Sequence, residues 1–487
     1  MLEIGQPRGG ASSFAAERSL AAAWDIWLTR WRKPADLIQR STARLRSLLD
    51  FARTEAPLYR RLYRDLPPSQ KLQLADLPVV DKATLMADLC ASLTVRDLSY
   101  AEIERFLAGA PTGSLLRGQY AVWTSSGTTG TPGIFLHDRD ALAIYDALEV
   151  FRFRGLTAPA EFAARLLAGE RYALVAATGG HFAGAASVER LRQAYPWLAP
   201  RMRVFSLLAP LPALVRALND FAPTLVATYP TAADVLADEQ LAGRLRLALT
   251  ELWTGGECLC DAVRTRLARV FNCRVRNGYG ASEFLSIAAE CSHGVLHVNS
   301  DWVLLEPVDA SYRVLDPGET SHTVLLTNLA NGVQPLIRYD LGDSVTVLPA
   351  PCECGSILPA IRVEGRRDDV LACADGRGAT VKLLPLVLTT VLEDNARVHD
   401  FQLEQCGPAR LRLRLGAPER RRAAHALAAL REYLRAQGLP AVAIEVSEEA
   451  PRRDSVSGKL RRVICAEPVR GRRAPADRAQ SAPCSSA

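Results

Sequence analysis

Between Ala121 and Gly280 the chain alternates short apolar runs, among them YALVAA, TLVATY and LTELWTG, with stretches of helical periodicity such as SVERLRQAY and LPALVRALNDF. An apolar run too short for a helix is buried on both faces only inside a sheet that helices cover. Parallel neighbours need a crossover rather than a tight turn, and the helical stretches supply it. The predicted fold class is therefore α/β, with parallel sheets flanked by helices.

The pattern changes from Leu296 to Val347, where HVNSDWVLLEP, HTVLLTN and SVTVLP lie close together, separated by turn signals such as Asp316-Pro317-Gly318. That spacing predicts a β-rich subdomain. Upstream, apolar positions three and four apart in LIQRSTARLRSLLDFA predict helices from about Ala15 to Tyr63. Downstream of Gly365, LRLRLG, RRRAAHALAALREYLRAQG and AVAIEV read as strand, helix and strand, an α+β unit of a size that folds alone. The expected division is a large N-terminal domain over 1–365, opened by the helical segment, and a small C-terminal domain over 366–467. The Arg/Pro/Ala/Ser-rich stretch 468–487 is expected to be disordered.

Composition narrows the function. Apolar residues are 48% and charged residues 23% of the 487, proportions of a globular chain whose length calls for more than one core. A net charge of +6, with arginines scattered throughout, gives no basic stripe for nucleic acid. No run approaches the ~18 apolar residues of a membrane span, and the opening MLEIGQPRGG lacks the basic and apolar regions of an export signal. Eleven scattered cysteines without such a signal predict reduced thiols or metal ligands, and a cytoplasmic protein.

Behind the apolar Ala121-Val122-Trp123 comes TSSGTTGTP, Thr124 to Pro132. Its glycines admit a ligand close to the backbone, and its hydroxyls and amides form a donor-rich concavity suited to phosphate. It is not a Walker loop, because no Gly-Lys-Ser/Thr follows. Ordinary loops share this composition, so the assignment rests on the rest of the chain. Five further segments supply it: WTGGE (Trp253–Glu257), NGYGASE (Asn277–Glu283), RYDLGD (Arg338–Asp343), GRRDD (Gly365–Asp369) and SGKLRR (Ser457–Arg462). In this order and spacing they resemble the adenylate-forming superfamily of acyl-CoA synthetases, and their wording is most similar to the phenylacetate-CoA ligase family. The likeness runs from RRLYRDLP to Arg462.

The resemblance implies activation of an aromatic or heteroaromatic carboxylic acid with ATP and Mg²⁺ through an acyl-adenylate, then thioester formation with coenzyme A. Thr124, Ser125, Ser126, Gly127, Thr128, Thr129 and Gly130 would wrap the β- and γ-phosphates. Tyr279 would stack on adenine, with Gly255, Gly256, Glu257, Asn277 and Gly280 around the nucleotide. Asp343 and Arg366 would hold the ribose; carboxylates accept readily from paired hydroxyls. Glu283 offers the hard oxygen Mg²⁺ prefers, Ser282 donates to the α-phosphate, and Lys459 is the mobile cation at the reacting centre. Asp368 would be the hinge about which the small domain rotates between the two half-reactions. His137, Phe182, Tyr229 and Ala281 are the implied neighbours of the acid, with Gly179, Gly180 and Gly184 leaving room for a flat ring.

Two departures stand out. Where many members place a phosphate-loop lysine the chain has Thr131 and Gly133, so backbone donors or an arginine must compensate. VLACADGRGATVKLLP replaces the family's usual apolar run into a glycine-rich turn, in a segment that would face the acyl site. An amine, a hydroxyl or a carrier-protein thiol therefore stays open as acceptor beside CoA, as does a homodimer. A third class, a nucleotide-binding regulator without turnover, conflicts with a complete set of Glu283, Asp343 and Lys459.

Metal chemistry has its own signal. CSHGVLH brings Cys291, His293 and His297 together, and PCECG adds Cys352 and Cys354. Thiolate and imidazole suit tetrahedral Zn²⁺, and some phenylacetate-ligase relatives carry a similar zinc-bound set. Cys291, His297, Cys352 and Cys354 are the expected ligands of a closed, structural site, with His293 the alternative fourth and Cys258 and Cys260 a rival pair.

Overall fold

The computed structural model describes residues 13–125, 133–155, 159–364, 370–375, 380–452 and 461–465. Ser126, Gly127, Thr128, Thr129, Gly130, Arg366, Asp368 and Lys459 lie outside these residues, as does the stretch 468–487. Among the described residues no helix is long and apolar enough to cross a membrane.

Strands β1 (Ala121–Ser125) and β2 (Gly133–His137) flank the phosphate-loop segment and pair antiparallel, Ala121 opposite His137 and Ser125 opposite Gly133. Next come β3 (Tyr172–Ala176), β4 (Met202–Ser206), β5 (Leu225–Thr228), β6 (Glu251–Thr254) and β7 (Arg274–Ala281), all parallel, in the order β4-β3-β5-β6-β7. The intervening helices, Ala183–Ala194, Leu211–Phe221, Pro230–Leu241 and Asp261–Phe271, are the expected crossovers. Leu214, Leu218, Leu236 and Leu267 of these helices bury against Ala173, Val175, Val226, Leu252 and Val275 of the strands.

The β-rich region is divided between two sheets. Strand β7 pairs with β6 on one edge and with β8 (Phe284–Glu290) on the other, so β8 and β9 (Leu296–Val298) extend the same sheet antiparallel. Strands β10 (Val303–Val308), β11 (Thr323–Asn328) and β12 (Tyr339–Asp340) form a three-stranded sheet of their own. The chain then returns through β13 (Val345–Val347) and β14 (Ala360–Val363), which complete the nine-stranded sheet beyond β9.

The helices Pro34–Glu55 and Pro57–Leu62 bury Leu48, Leu49, Ala52 and Tyr59, and Tyr63 just beyond them, in a core shared with Trp123, Phe135, Tyr145, Phe284 and Tyr339. The C-terminal part has a core of its own: a four-stranded sheet of Phe401–Gly407, Arg410–Leu415, Ala443–Ser447 and Val463–Cys465, packed under the helix Ala423–Ala436. It meets the large sheet's helices through Leu384 and Val387, and through Lys382, whose Nζ lies 2.7 Å from Asp238.

Candidate functional site

The order of the parallel strands dictates where a ligand can sit. Strand β3 has β4 on one side and β5 on the other, so the connections leaving β3 and β5 diverge and open a crevice beyond their carboxyl ends. Phe182, at the start of the helix after β3, and Tyr229, at the start of the helix after β5, stand on its walls. Strand β1 docks there too: the Thr124 amide donates to the His181 carbonyl over 2.9 Å, which brings the phosphate-loop edge to the crevice. The cavity measures about 1890 Å³, well beyond the ~300–1,000 Å³ of a site for one drug-sized ligand.

The structure brings most of the expected residues onto this one cavity. Thr124, Ser125, Phe182, Tyr229, Gly255, Gly256, Glu257 and Asn277 line it, with Tyr279, Gly280, Ala281, Ser282, Glu283 and Asp343. Two glycines are sterically required. Gly256 has φ +76° and a Cβ there would lie 3.1 Å from the Tyr229 ring, while a Cβ on Gly280 would fall 1.9 Å from the Leu285 carbonyl oxygen. The Tyr279 hydroxyl donates to Asp343 over 2.9 Å, which fixes the ring beside the carboxylate. The Ser282 hydroxyl donates to the Thr124 carbonyl over 3.1 Å, joining the β7–β8 turn to β1. Asn277 accepts from the Thr254 hydroxyl over 3.1 Å. Glu257 is tied down by the amide and hydroxyl of Thr231, at 3.1 and 3.0 Å, near the start of the helix Pro230–Leu241, where the helix dipole favours its negative charge.

Glu283 is 5% exposed. Burial pushes its carboxyl up to about 7, against the opposing pull of the Lys82 ammonium and the Tyr339 hydroxyl. A carboxylate so placed gains most from a cation.

His137 does not line the cavity. It is fully buried behind the wall, and burial pushes its imidazole down to about 3. The Ser282 carbonyl, 2.8 Å away, can only accept, so Nε2 carries the proton. Nδ1 then accepts from the Tyr145 hydroxyl at 3.1 Å, and that oxygen accepts in turn from Asn328 at 2.9 Å. With both nitrogens satisfied, the ring positions the Ser282–Glu283 turn instead of facing a ligand.

Lys82 escaped the sequence reading. It lines the cavity and acts on Glu283, in a structure whose phosphate loop has no lysine of its own at Thr131 or Gly133. The available signal was local. Asp81 caps the helix Lys82–Ala87, accepting from Thr84 N at 2.8 Å, and a lysine at the positive end of a helix opposes the dipole.

A second cluster lies at the antiparallel edge of the sheet. One ligand atom from each of Cys291, His297, Cys352 and Cys354 lies within 4.8 Å of all the others. The Cys291 and Cys352 sulfurs are 3.8 Å apart, and His297 Nε2 is 3.3 Å from the Cys354 sulfur. His297 Nδ1 donates to the Leu358 carbonyl over 2.9 Å, which fixes the tautomer and turns Nε2 toward the thiols. His293 points elsewhere: its ring lies 3.7 Å from Glu353, and only its backbone amide reaches Cys291. Cys258 and Cys260 lie on the cavity and have no part in this cluster.

Comparison with known proteins places this geometry. No protein-family model matches the chain. Protein CapK of Staphylococcus aureus is 28% identical over 162 residues, 32% of this chain and 34% of CapK, so the match spans about a third of that protein's length. Among solved structures, 2-hydroxyisobutyryl-CoA ligase with 2-HIB-AMP and CoA, in its thioesterification state, is 23% identical, with a TM-score of 0.56 over 90% of this chain and 91% of that one. The same ligase in its postadenylation state with 2-HIB-AMP is 22% identical over 95% of both chains, with a TM-score of 0.50. The chain has the fold of the adenylate-forming acyl-CoA ligases.

Proposed function

We propose that the protein activates an aromatic or heteroaromatic carboxylic acid with ATP and transfers the acyl group to coenzyme A. The observation that supports this best is the convergence, at the switch point of the parallel sheet, of a flat ring fixed to a carboxylate, a buried acid facing a lysine, and the start of a hydroxyl-rich loop. In the first half-reaction the substrate carboxylate oxygen bonds to the α-phosphorus of ATP, and the bond to pyrophosphate breaks. In the second, a thiol sulfur bonds to the acyl carbon, AMP leaves, and the thiol proton passes to solvent.

In this reading Asp343 accepts from the ribose, Tyr279 stacks on adenine, and Ser282 exchanges its bond to Thr124 for one to the α-phosphate. Glu283 would hold Mg²⁺, which when bound would supply charge neutralisation on the phosphates. Lys82 takes the place of the absent phosphate-loop lysine. Lys459 balances charge as it moves from carboxylate to phosphate, Arg366 adds a ribose contact, and Asp368 is the hinge of a mobile domain over 366–467. Phe182, Tyr229 and Ala281 flank the acid. The burial and pairing of His137 argue against a place for it among them. Cys291, His297, Cys352 and Cys354 would hold a structural Zn²⁺, since four protein ligands leave no open position.

The divergent VLACADGRGATVKLLP supports a second reading, in which an amine, a hydroxyl or a carrier thiol accepts the acyl group. A panel of carboxylic acids with ATP, assayed for pyrophosphate with and without CoA and with mass detection of products, separates the two. Acid-dependent pyrophosphate release that ends in an acyl-CoA supports the first reading. Release without any thioester rejects CoA as acceptor, and no release with any acid rejects adenylation.

A further inference from the structure

From Leu20 to its end, the helix Ser13–Leu28 carries a single charged residue, Asp25. Its inner face buries Ala22 and Ile26 in the core, and Thr29 of the short helical turn Thr29–Trp31 continues that face. On the opposite side Leu20, Trp24, Trp27 and Trp31 follow at spacings of four, three and four, which is one stripe of a helix. Leu20, Trp24 and Trp31 are 69%, 61% and 60% exposed. The rings are ordered against one another. Trp24 and Trp27 have centroids 5.0 Å apart, Trp27 and Trp31 4.3 Å, and the Arg30 guanidinium lies over the last two. A helix that is apolar on both sides is ordinarily buried on both sides, so the outer stripe is a face built to be covered.

Charge and area decide what covers it. From Ser13 to Arg46 the chain has seven arginines and lysines against three carboxylates, +4 of the whole chain's +6. Asp25 is shared among Arg32, Arg40 and Arg44, and Asp301 is engaged by Arg152, so guanidiniums outnumber carboxylates there. Arg30, which Glu161 attracts, and Lys33 are both exposed beside the stripe. A second copy of the chain would set one positive face against another. The stripe also offers on the order of 300–500 Å², short of the ~800 Å² per partner of a stable dimer. The stretch 468–487, with four arginines and one aspartate, has the wrong sign to complement it. Indole rings rest well at the depth of lipid headgroups, with the apolar body inward and the N–H toward water, and cations beside them gain from an anionic leaflet.

We propose that this stripe docks the protein on an anionic lipid surface, with Leu20, Trp24 and Trp31 entering the headgroup region and Arg30 and Lys33 facing the lipid phosphates. Docking of this kind requires no membrane-spanning helix. It is independent of the adenylation reading.

The test is sedimentation of the full chain with vesicles of phosphatidylcholine alone, or of phosphatidylcholine with about 30% phosphatidylglycerol. Wild type should bind the mixed vesicles at least about tenfold more tightly than the neutral ones, and salt at about 0.5 M should release most of it. Trp24→Ser with Trp31→Ser should weaken binding to the mixed vesicles by about tenfold or more, as should Arg30→Glu with Lys33→Glu. Trp197→Ser, at an exposed tryptophan elsewhere, should leave binding unchanged. No sedimentation with either vesicle, equal binding to both, or binding unmoved by the double tryptophan variant overturns the proposal. A wild-type dimer that binds neither vesicle, and that the double tryptophan variant turns into a monomer, overturns it in favour of a second copy. Binding that appears only after removal of residues 1–12 overturns it in favour of that segment as the cover. The comparison of the two vesicles on wild type stands even where a variant does not fold.

Discussion

The cysteine–histidine cluster and the large cavity are both gatherings of polar groups, yet they are built in opposite ways. The cluster draws its four residues from two neighbouring connections and strand β9 at one edge of one sheet, and brings their ligand atoms within 4.8 Å of each other. The cavity draws its groups from the ends of β1, β3, β5, β6 and β7 and from the helix Lys82–Ala87, and keeps most of them apart around a large space. Closeness within one patch of a single sheet suits a metal that is held and never released. Separation across many elements suits a ligand that enters, reacts and leaves. The two regions should therefore respond in opposite ways to mutation, the cluster in stability and the cavity in turnover.

The largest effect is expected at Glu283. Burial holds its carboxyl up to about 7, so its ionised form is disfavoured until a cation is bound. Glu283→Gln should cut acid-dependent pyrophosphate exchange by about a hundredfold to a thousandfold, the loss typical of a group that stabilises transition-state charge. The melting temperature should not fall, because a disfavoured buried charge is gone. A variant that keeps wild-type exchange, or that melts well below wild type, would erase the contrast between the regions.

Next in size is the cluster. Protein purified without added metal should contain about one zinc per chain. Cys352→Ser with Cys354→Ser should lose it and melt about 3 to 5 °C lower, as the loss of a few kcal/mol predicts for a chain of this size. Metal-free wild type whose melting curve ignores a chelator would reject the site.

A smaller effect is expected at Asp343. Asp343→Ala removes both the proposed ribose contact and the partner of the Tyr279 hydroxyl, and should raise KM for ATP about tenfold, more than it lowers kcat. Unchanged nucleotide kinetics would remove Asp343 from the nucleotide site.

The sequence made the crossovers legible because each strand is a short apolar run and each helix an amphipathic one; the stretch LPALVRALNDF is the helix Leu211–Phe221 residue for residue. It did not show that β8, β9, β13 and β14 extend the parallel sheet while β10 to β12 leave it, because that depends on both edges of β7 being used, and pairing partners leave no mark in a single strand. Motif residues such as Tyr279 and Asp343 could be found because their spacing resembles a known family. Lys82 could not, because its place at the cavity is set by folding, at the start of a short helix.

His137 gives the smallest and most diagnostic test of the contrast, because sequence placed it beside the substrate and the structure places it behind the wall. Its imidazole is held down to about 3 by burial, against ~6.5 in an unfolded chain. The sign follows directly. The folded state keeps His137 neutral, so the stability tied to neutrality is fully present above pH ~6.5 and is lost as pH falls toward the folded value, by about 1.4 kcal/mol per pH unit. Between pH 6.5 and 5 the loss should reach about 2 kcal/mol. His137→Gln, unable to titrate, should show a flatter stability profile over that interval in urea titrations. It should also change KM for the acid less than a change at Phe182 or Tyr229, since it reaches the site only through the Ser282 carbonyl. An equal or larger effect on the acid's KM would return His137 to the cavity wall, and an unchanged pH profile would mean that the ring is not buried in its neutral form.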